Sequence, residues 1–210
     1  MKKHFWKLEY SVTIFVILII FLMIVPVEIE NYWQAQMITK WNDKFEKVSY
    51  MFSVLNAQKD DEIIKSLAME QEPHKREVLL MQLIKPYLRL KSAEKLTRRY
   101  RPKYMDGSKV SKDDSYYFSD LYFSQNTQLV GIKDIVNNDE HSAWFMMMFD
   151  LNGVMPPNVW GKDIFGVYIY DEGKVVPFGY DVSMDNLNSN CLLTGLDCSY
   201  YYHIGGFLAK

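Results

Sequence analysis

The sequence contains a run of 18 residues, Tyr10–Val27, in which no residue is charged and most are apolar. A helix needs about 20 such residues to cross a bilayer, where it satisfies its own backbone hydrogen bonds. Lysine is abundant in the short segment before the run, whereas Glu28 and Glu30 follow it. Because positive flanks stay in the cytoplasm, we predict a single-pass anchor with a cytoplasmic N-terminus and an extracytoplasmic remainder.

A cleaved secretory signal is the alternative interpretation of this run. Such a signal has an apolar core of about 7–15 residues and small residues at its cleavage site. The sequence after Val27 reads EIENYW and contains no small-residue site. A retained anchor is therefore favoured.

A helical pattern continues beyond the apolar run. Apolar residues recur at steps of three and four, which is typical of an amphipathic helix, and neither glycine nor proline occurs from Val27 to Gln58. The stripe consists of Ile29, Trp33, Met37, Trp41, Phe45, Val48, Phe52 and Leu55. We expect one helix from near residue 5 to about residue 58, kinked at Pro26, where one backbone hydrogen bond is lost.

Strand patterns are strongest after residue 142, where the segments AWFMMMF, IFGVYIY and KVVPF occur. Asn152–Gly153 predicts a turn, and Gly173 closes a short hairpin connection. Pro177 is expected at a strand end or sheet edge. The later segment SYYYHIGGF is predicted to be a last strand or a closing tail.

The middle of the chain is less regular. Pro73 is suited to the first position of a helix that Pro86 ends or bends, and a short helix is expected around Leu67. The segments LYF and QLVGI are compatible with strands or with loops. The predicted fold class is α+β, helices first and strands later: a long N-terminal transmembrane-plus-amphipathic helix packed on a small antiparallel sheet.

This layout resembles the type IV pilins and the pseudopilins of type II secretion. Members of that family have a basic leader, an apolar segment that opens with Phe and carries Glu fifth, and a Pro 17 residues later. Phe5, Glu9 and Pro26 occupy those positions here. The C-terminal half is similar as well, through Asp150, Asn152, Gly153, Pro157, Asn158, Gly161, Asp163, Phe165, Gly173 and Pro177.

The resemblance implies a basic leader (1–4), a transmembrane half-helix (5–27), an amphipathic half-helix (28–58) and an extracytoplasmic head (59–210). It implies a minor pilin or pseudopilin, held in the bacterial inner membrane, whose partners are other pilin-like subunits. A prepilin peptidase would cleave between His4 and Phe5, and Glu9 would then pair with the new amine of a neighbouring subunit.

Two alternatives stay open at the N-terminus. Glu9 is also explained as an interfacial residue next to Lys7. His4 stands where the family has glycine, which favours a single-pass membrane-anchored binding domain that does not polymerise.

The two cysteines, Cys191 and Cys198, are expected to form a disulfide outside the cytoplasm, and the resemblance implies the same. A metal site of these cysteines with His203 is the alternative, but it lacks a fourth ligand. The oxygens of Asp150, Asn152 and Asp163 suit calcium, which some pseudopilins bind in this half, whereas Asx turns explain the same residues. We predict no cofactor, with calcium as the weak alternative.

Two function classes receive no support from the sequence. The net charge is −2, and the basic stretch Lys91–Lys103 is interpreted as a solvated connector or a contact for anionic lipid or a partner, so nucleic acid is not an expected ligand. No nucleophile elbow, phosphate-binding loop or His-Glu-x-x-His motif occurs. The polar run at His141 is expected to be an exposed turn, and no enzyme activity is predicted.

Overall fold

A computed structural model describes residues 2–58, 67, 70, 72–93, 100–124, 127–135, 143–170 and 173–208, without the side chains of residues 2–9, 23 and 27. Its helices are α1 (Lys2–Gln58), α2 (Pro73–Leu88), α3 (Met184–Leu193) and α4 (Cys198–His203). Its strands are β1 (Lys91–Ser92), β2 (Leu121–Phe123), β3 (Leu129–Asp134), β4 (Phe145–Asp150), β5 (Ile164–Ile169) and β6 (Val175–Pro177). The fold is α+β, and the chain divides into two compact units, residues 1–36 with 208–210, and residues 37–207.

Helix α1 is a single helix of 57 residues that contains Pro26. Its end at Gln58 confirms the predicted end, and it begins a few residues earlier than expected. In the second unit, every predicted stripe position from Met37 onward is buried: Met37, Trp41, Phe45, Val48, Phe52 and Leu55. The amphipathic pattern therefore packs one face of α1 onto the head.

The six strands form one antiparallel sheet in which spatial order follows chain order. Opposite residues of neighbouring strands point to the same face, so the register Phe149↔Phe165 places both rings on one side. Trp41 of α1 packs there against both rings. The opposite face carries the row Gly131, Met148 and Gly166.

The second face of the sheet is covered by aromatic side chains from loops. Phe118 and Phe178 lie over Gly131 and Gly166, where an added Cβ would come within 2.8 Å and 2.1 Å of the respective rings. Every residue of β4 and of β5 is buried. Covering of both faces explains why these strands are continuous apolar runs without a polar alternation.

Helix α2 starts at Pro73, as predicted, but does not end at Pro86. It continues to Leu88 and is capped by Arg89, whose left-handed backbone (φ 52°) brings its N–H to the carbonyl of Lys85. A proline in the last turn removes one intrahelical hydrogen bond, and the cap completes the turn beyond it. The helix expected around Leu67 lies almost entirely outside the described residues, and Leu67 itself is buried.

The structure decides several open points in the head. LYF and QLVGI form β2 and β3, Asn152–Gly153 forms a turn, and Pro177 ends edge strand β6. The expectation that the segment SYYYHIGGF is a last strand is wrong, because residues 199–203 lie in α4 and only residues 204–207 form a tail. Consequently the order of helices first and strands later is also wrong: α3 and α4 follow the sheet. Helical spacing lets Ser199 and Tyr202 face the sheet together, and both are buried.

We predict that Gly166→Ala lowers the free energy of unfolding by about 1–3 kcal/mol, because the new methyl group overpacks the Phe178 ring. Urea unfolding of the full chain in detergent, followed by far-UV circular dichroism, measures the change. In the double variant with Phe178→Leu, the loss should be smaller than the sum of the single losses. Additive losses would contradict the proposed contact.

Candidate functional site

The apolar N-terminal half of α1 is uncovered in its own unit. Phe15 is 65% exposed and Leu22 is 62% exposed, and the apolar residues between them are exposed as well. In the part of the chain that the structure describes, α1 is the one helix long and apolar enough to cross a membrane. So large an apolar surface marks contact with lipid or with another apolar surface.

The residues predicted to act in assembly lie on this helix. His4, Phe5 and Glu9 have helical backbone, and their side chains lie outside the described part. Pro26 is exposed inside the helix. The structure therefore places these residues on one continuous helix, and their roles in processing and assembly stay predictions.

Trp41 is the point at which α1, the sheet and α4 meet. Its ring is fully buried and lies 5.0 Å from the Phe165 ring, centroid to centroid, in a stacked arrangement. Its indole N–H donates to the backbone carbonyl of Ser199, with 2.8 Å between nitrogen and oxygen. The Ser199 hydroxyl in turn accepts the backbone N–H of Gly166 at 3.0 Å. One buried chain of hydrogen bonds thus joins α1 to α4 and β5.

The disulfide between Cys191 and Cys198 joins α3 to α4. It confirms the predicted pairing and overturns the alternative metal site with His203, whose ring packs against Phe45 at 4.5 Å. The disulfide ends next to Ser199, so it holds the residue that accepts the Trp41 N–H. A Cβ on Gly161 would come within 2.6 Å of the Cys198 sulfur, which shows how closely the disulfide packs on the loop before β5.

The candidate calcium residues come together as a buried pair of carboxyl groups. Asp150 ends β4 and Asp163 precedes β5, and both are fully buried. Asp150 accepts the hydroxyl of Tyr100 and the backbone N–H of Asn152. Asp163 accepts the backbone N–H groups of Asn158 and Val159 at 2.8 Å and 2.6 Å.

A donor therefore points at every carboxyl oxygen of this pair, so each oxygen has a hydrogen-bond partner without a cation. The arrangement favours the alternative explanation, in which the carboxyl groups tie down the loop between β4 and β5. Burial raises the pKa of Asp150 to about 8 and the pKa of Asp163 to about 6, and the proximity of Asp163 adds to the shift of Asp150.

Two side-chain groupings were not found from the sequence. Arg76 of α2 forms a buried ion pair with Asp134 at the end of β3, through Nε and through Nη2 at 3.0 Å. Near it, ligand atoms of His74, Glu77 and Asp120 lie within 4.8 Å of one another. The spacing His-x-x-Glu was a usable signal, since such residues share a helix face, but nothing local indicated Asp120 or Asp134.

No protein-family model, curated protein or solved structure matches this chain. The chain is an α+β protein whose antiparallel sheet packs against the C-terminal half of α1, and the N-terminal half of α1 is a candidate membrane span.

We predict that Trp41→Phe lowers the free energy of unfolding by about 1–3 kcal/mol, because the Ser199 carbonyl loses its buried donor and the smaller ring leaves a void. Urea unfolding in detergent micelles is the measurement. The control is Trp33→Phe on the same helix, where the half-exposed indole should cost less than about 0.5 kcal/mol. Equal losses in the two variants would show that the hydrogen bond is unimportant.

We predict that the free energy of unfolding depends on pH because of the buried pair Asp150 and Asp163. The folded state holds these protons to a higher pH than the unfolded state, whose carboxyl pKa is about 4. Unfolding therefore releases protons, and the free energy of unfolding falls as the pH rises from about 4 to about 8, by at most about 1.4 kcal/mol per pH unit for each group. Asp150→Asn should flatten this slope in urea titrations at several pH values. The control Asp185→Asn, which changes an exposed carboxylate on α3, should leave the slope unchanged. A wild-type slope in Asp150→Asn would contradict the assignment of the pH dependence to Asp150.

Proposed function

We propose that this chain is a pilin-like structural subunit, either a minor pilin or a pseudopilin, of a type IV pilus or type II secretion filament. The observation that carries the proposal is α1 itself. One uninterrupted helix presents an exposed apolar half near its start and a half buried on an antiparallel sheet near its end. A subunit that moves from lipid into a bundle of like helices needs both halves.

The exposed apolar surface of α1 indicates which residues would form the contacts between subunits. In the bilayer, lipid tails cover residues such as Phe15 and Leu22, and in a filament the same residues would contact equivalent helices of neighbouring subunits. Helices in such surroundings associate mainly through close packing, since both environments are apolar. The head then remains outside the helical core and forms the filament surface or tip.

Charges and cysteines support the placement of the chain in the inner membrane. Lys2, Lys3 and Lys7 precede the apolar run and favour a cytoplasmic N-terminus. The Cys191–Cys198 disulfide suits an oxidising compartment for the head. In this proposal a prepilin peptidase removes residues 1–4, and Glu9 pairs with the amine of Phe5 on a neighbouring subunit.

A second candidate function is a membrane-anchored extracytoplasmic binding domain that never polymerises. His4 favours it, because the proposed cleavage site lacks the glycine of the pilin family. In that case the apolar half of α1 stays in lipid permanently, and the head alone carries the function.

The mature N-terminus separates the two candidates. We expect intact-mass analysis of the full chain, produced in bacteria with an active prepilin peptidase, to show a chain that begins at Phe5, with an added methyl group on its amine. A peptidase-deficient strain is the control and should retain Met1. The variant His4→Gly restores the glycine of the family and should be cleaved at least as completely.

Retention of Met1 in the wild-type chain, together with cleavage of His4→Gly in the same strain, would favour the anchored binding domain. Retention of Met1 in both would exclude processing by this peptidase. Alkylation before and after reduction adds an independent readout of compartment: Cys191 and Cys198 should react only after reduction.

A further inference from the structure

We infer that three side chains form a binding site for zinc or a related transition metal. They are His74 and Glu77 near the start of α2, and Asp120 directly before β2. The ligand atoms of these three side chains lie within 4.8 Å of one another. The site shares no residue with α1 or with the buried carboxyl pair. It does not depend on the proposed role in filaments.

Two of the three ligands are placed by helix geometry. His74 and Glu77 are three residues apart in α2, so they project from the same face. The imidazole Nδ1 of His74 lies 3.7 Å from Oε2 of Glu77. Asp120, which directly precedes β2, comes from a segment 43 positions after Glu77 in the chain, and the tertiary fold brings it to the helix.

Glu77 is held in position by the sheet. Its Oε1 accepts the backbone N–H of Asp134 at 2.9 Å, which leaves Oε2 directed toward His74. A carboxylate that is oriented by a backbone donor is pre-positioned for a metal through its other oxygen. The Glu77 side chain is only 18% exposed, whereas His74 is 75% exposed and has room to turn.

The neighbouring cations form their hydrogen bonds and ion pairs with groups other than the three ligands. Arg76 pairs with Asp134 and donates to the carbonyl of Glu70, and Lys75 pairs with Glu72 at 3.1 Å. The ammonium group of Lys133 donates to three backbone carbonyls, of which that of Ser115 is nearest at 2.6 Å. Among the residues that the structure describes, neither Glu77 nor Asp120 forms an ion pair with lysine or arginine.

The types of donor atom at this position suit a metal cation. Glu77 and Asp120 each offer a carboxylate oxygen to a divalent ion, and His74 offers an imidazole nitrogen. The charges of Arg76 and Lys133 also act on Glu77. The mixed nitrogen and oxygen donor set suits zinc and related transition metals better than calcium, which prefers oxygen alone.

The geometry requires only small movement on binding. Zinc binds imidazole nitrogen and carboxylate oxygen at about 2.0–2.2 Å. In a tetrahedral site the three donor atoms would therefore approach one another by at most about 1.5 Å, and the exposed imidazole reaches the ion by rotation about its side-chain bonds. Three protein ligands leave a fourth tetrahedral position for water, and the bound ion fastens the start of α2 to β2.

The test is metal binding by the full chain, without a polyhistidine tag, in detergent micelles and chelator-free buffer. Equilibrium dialysis with Zn²⁺ should show one saturable site, and Co²⁺ should give the intense visible absorption of a tetrahedral complex. His74→Gln and Asp120→Asn should each weaken Zn²⁺ binding by at least about tenfold. The matched controls His203→Gln and Asp106→Asn, which change an imidazole and a carboxylate at exposed positions, should stay within about twofold of the wild type.

Thermal unfolding of each variant in the presence of chelator verifies that the variant is folded without metal. If Asp120→Asn does not fold, His74→Gln decides the test, because His74 is exposed and its substitution should not disturb folding. The inference is overturned if the wild-type chain shows no saturable one-to-one Zn²⁺ binding. It is overturned equally if His74→Gln keeps wild-type affinity.

Discussion

The architecture of the head depends on how Trp41 is buried. A tryptophan can be placed in a core at low cost only if its N–H finds an acceptor, and here that acceptor is the Ser199 carbonyl on α4. The requirement links elements that are distant in the chain, since Trp41 and Ser199 are 158 positions apart. The disulfide at Cys198 keeps the acceptor in place. Long-range hydrogen bonding and a local covalent constraint thus act on two neighbouring residues, Ser199 and Cys198.

Two glycines of the sheet leave space for aromatic rings that pack on it. Its central strands have layers on both faces, and large aromatic rings fill the layer opposite α1. Gly131 and Gly166 flank Met148 in register, and each leaves the space that a ring occupies. Glycine usually weakens a strand, so the contribution of these two positions is the ring contact they permit and not strand formation.

Much of the fold could be predicted because its signals are local. The spacing of Trp41, Phe45 and Val48 revealed the buried face of α1, and the apolar runs of β4 and β5 revealed the central strands. Helix α4 was not predicted because its tyrosines have a preference for strands. Contacts of Ser199 and Tyr202 with the sheet outweigh this preference. Asp150 and Asp163 were identified as a group from the sequence. Whether they bind a cation or hold a loop in place depends on hydrogen-bond donors from Tyr100 and the backbone, and no sequence pattern reveals these donors.

The edges of the sheet restrict how copies of this chain can meet. An exposed edge strand offers unpaired backbone groups to any other strand, and proteins avoid unwanted aggregation by keeping such edges short or by placing proline there. Here edge strand β1 has two residues, and edge strand β6 has three and ends in Pro177. The sheet is therefore a poor template for β-addition. Copies of this chain at high concentration are therefore not expected to join their sheets, edge to edge, into one continuous sheet.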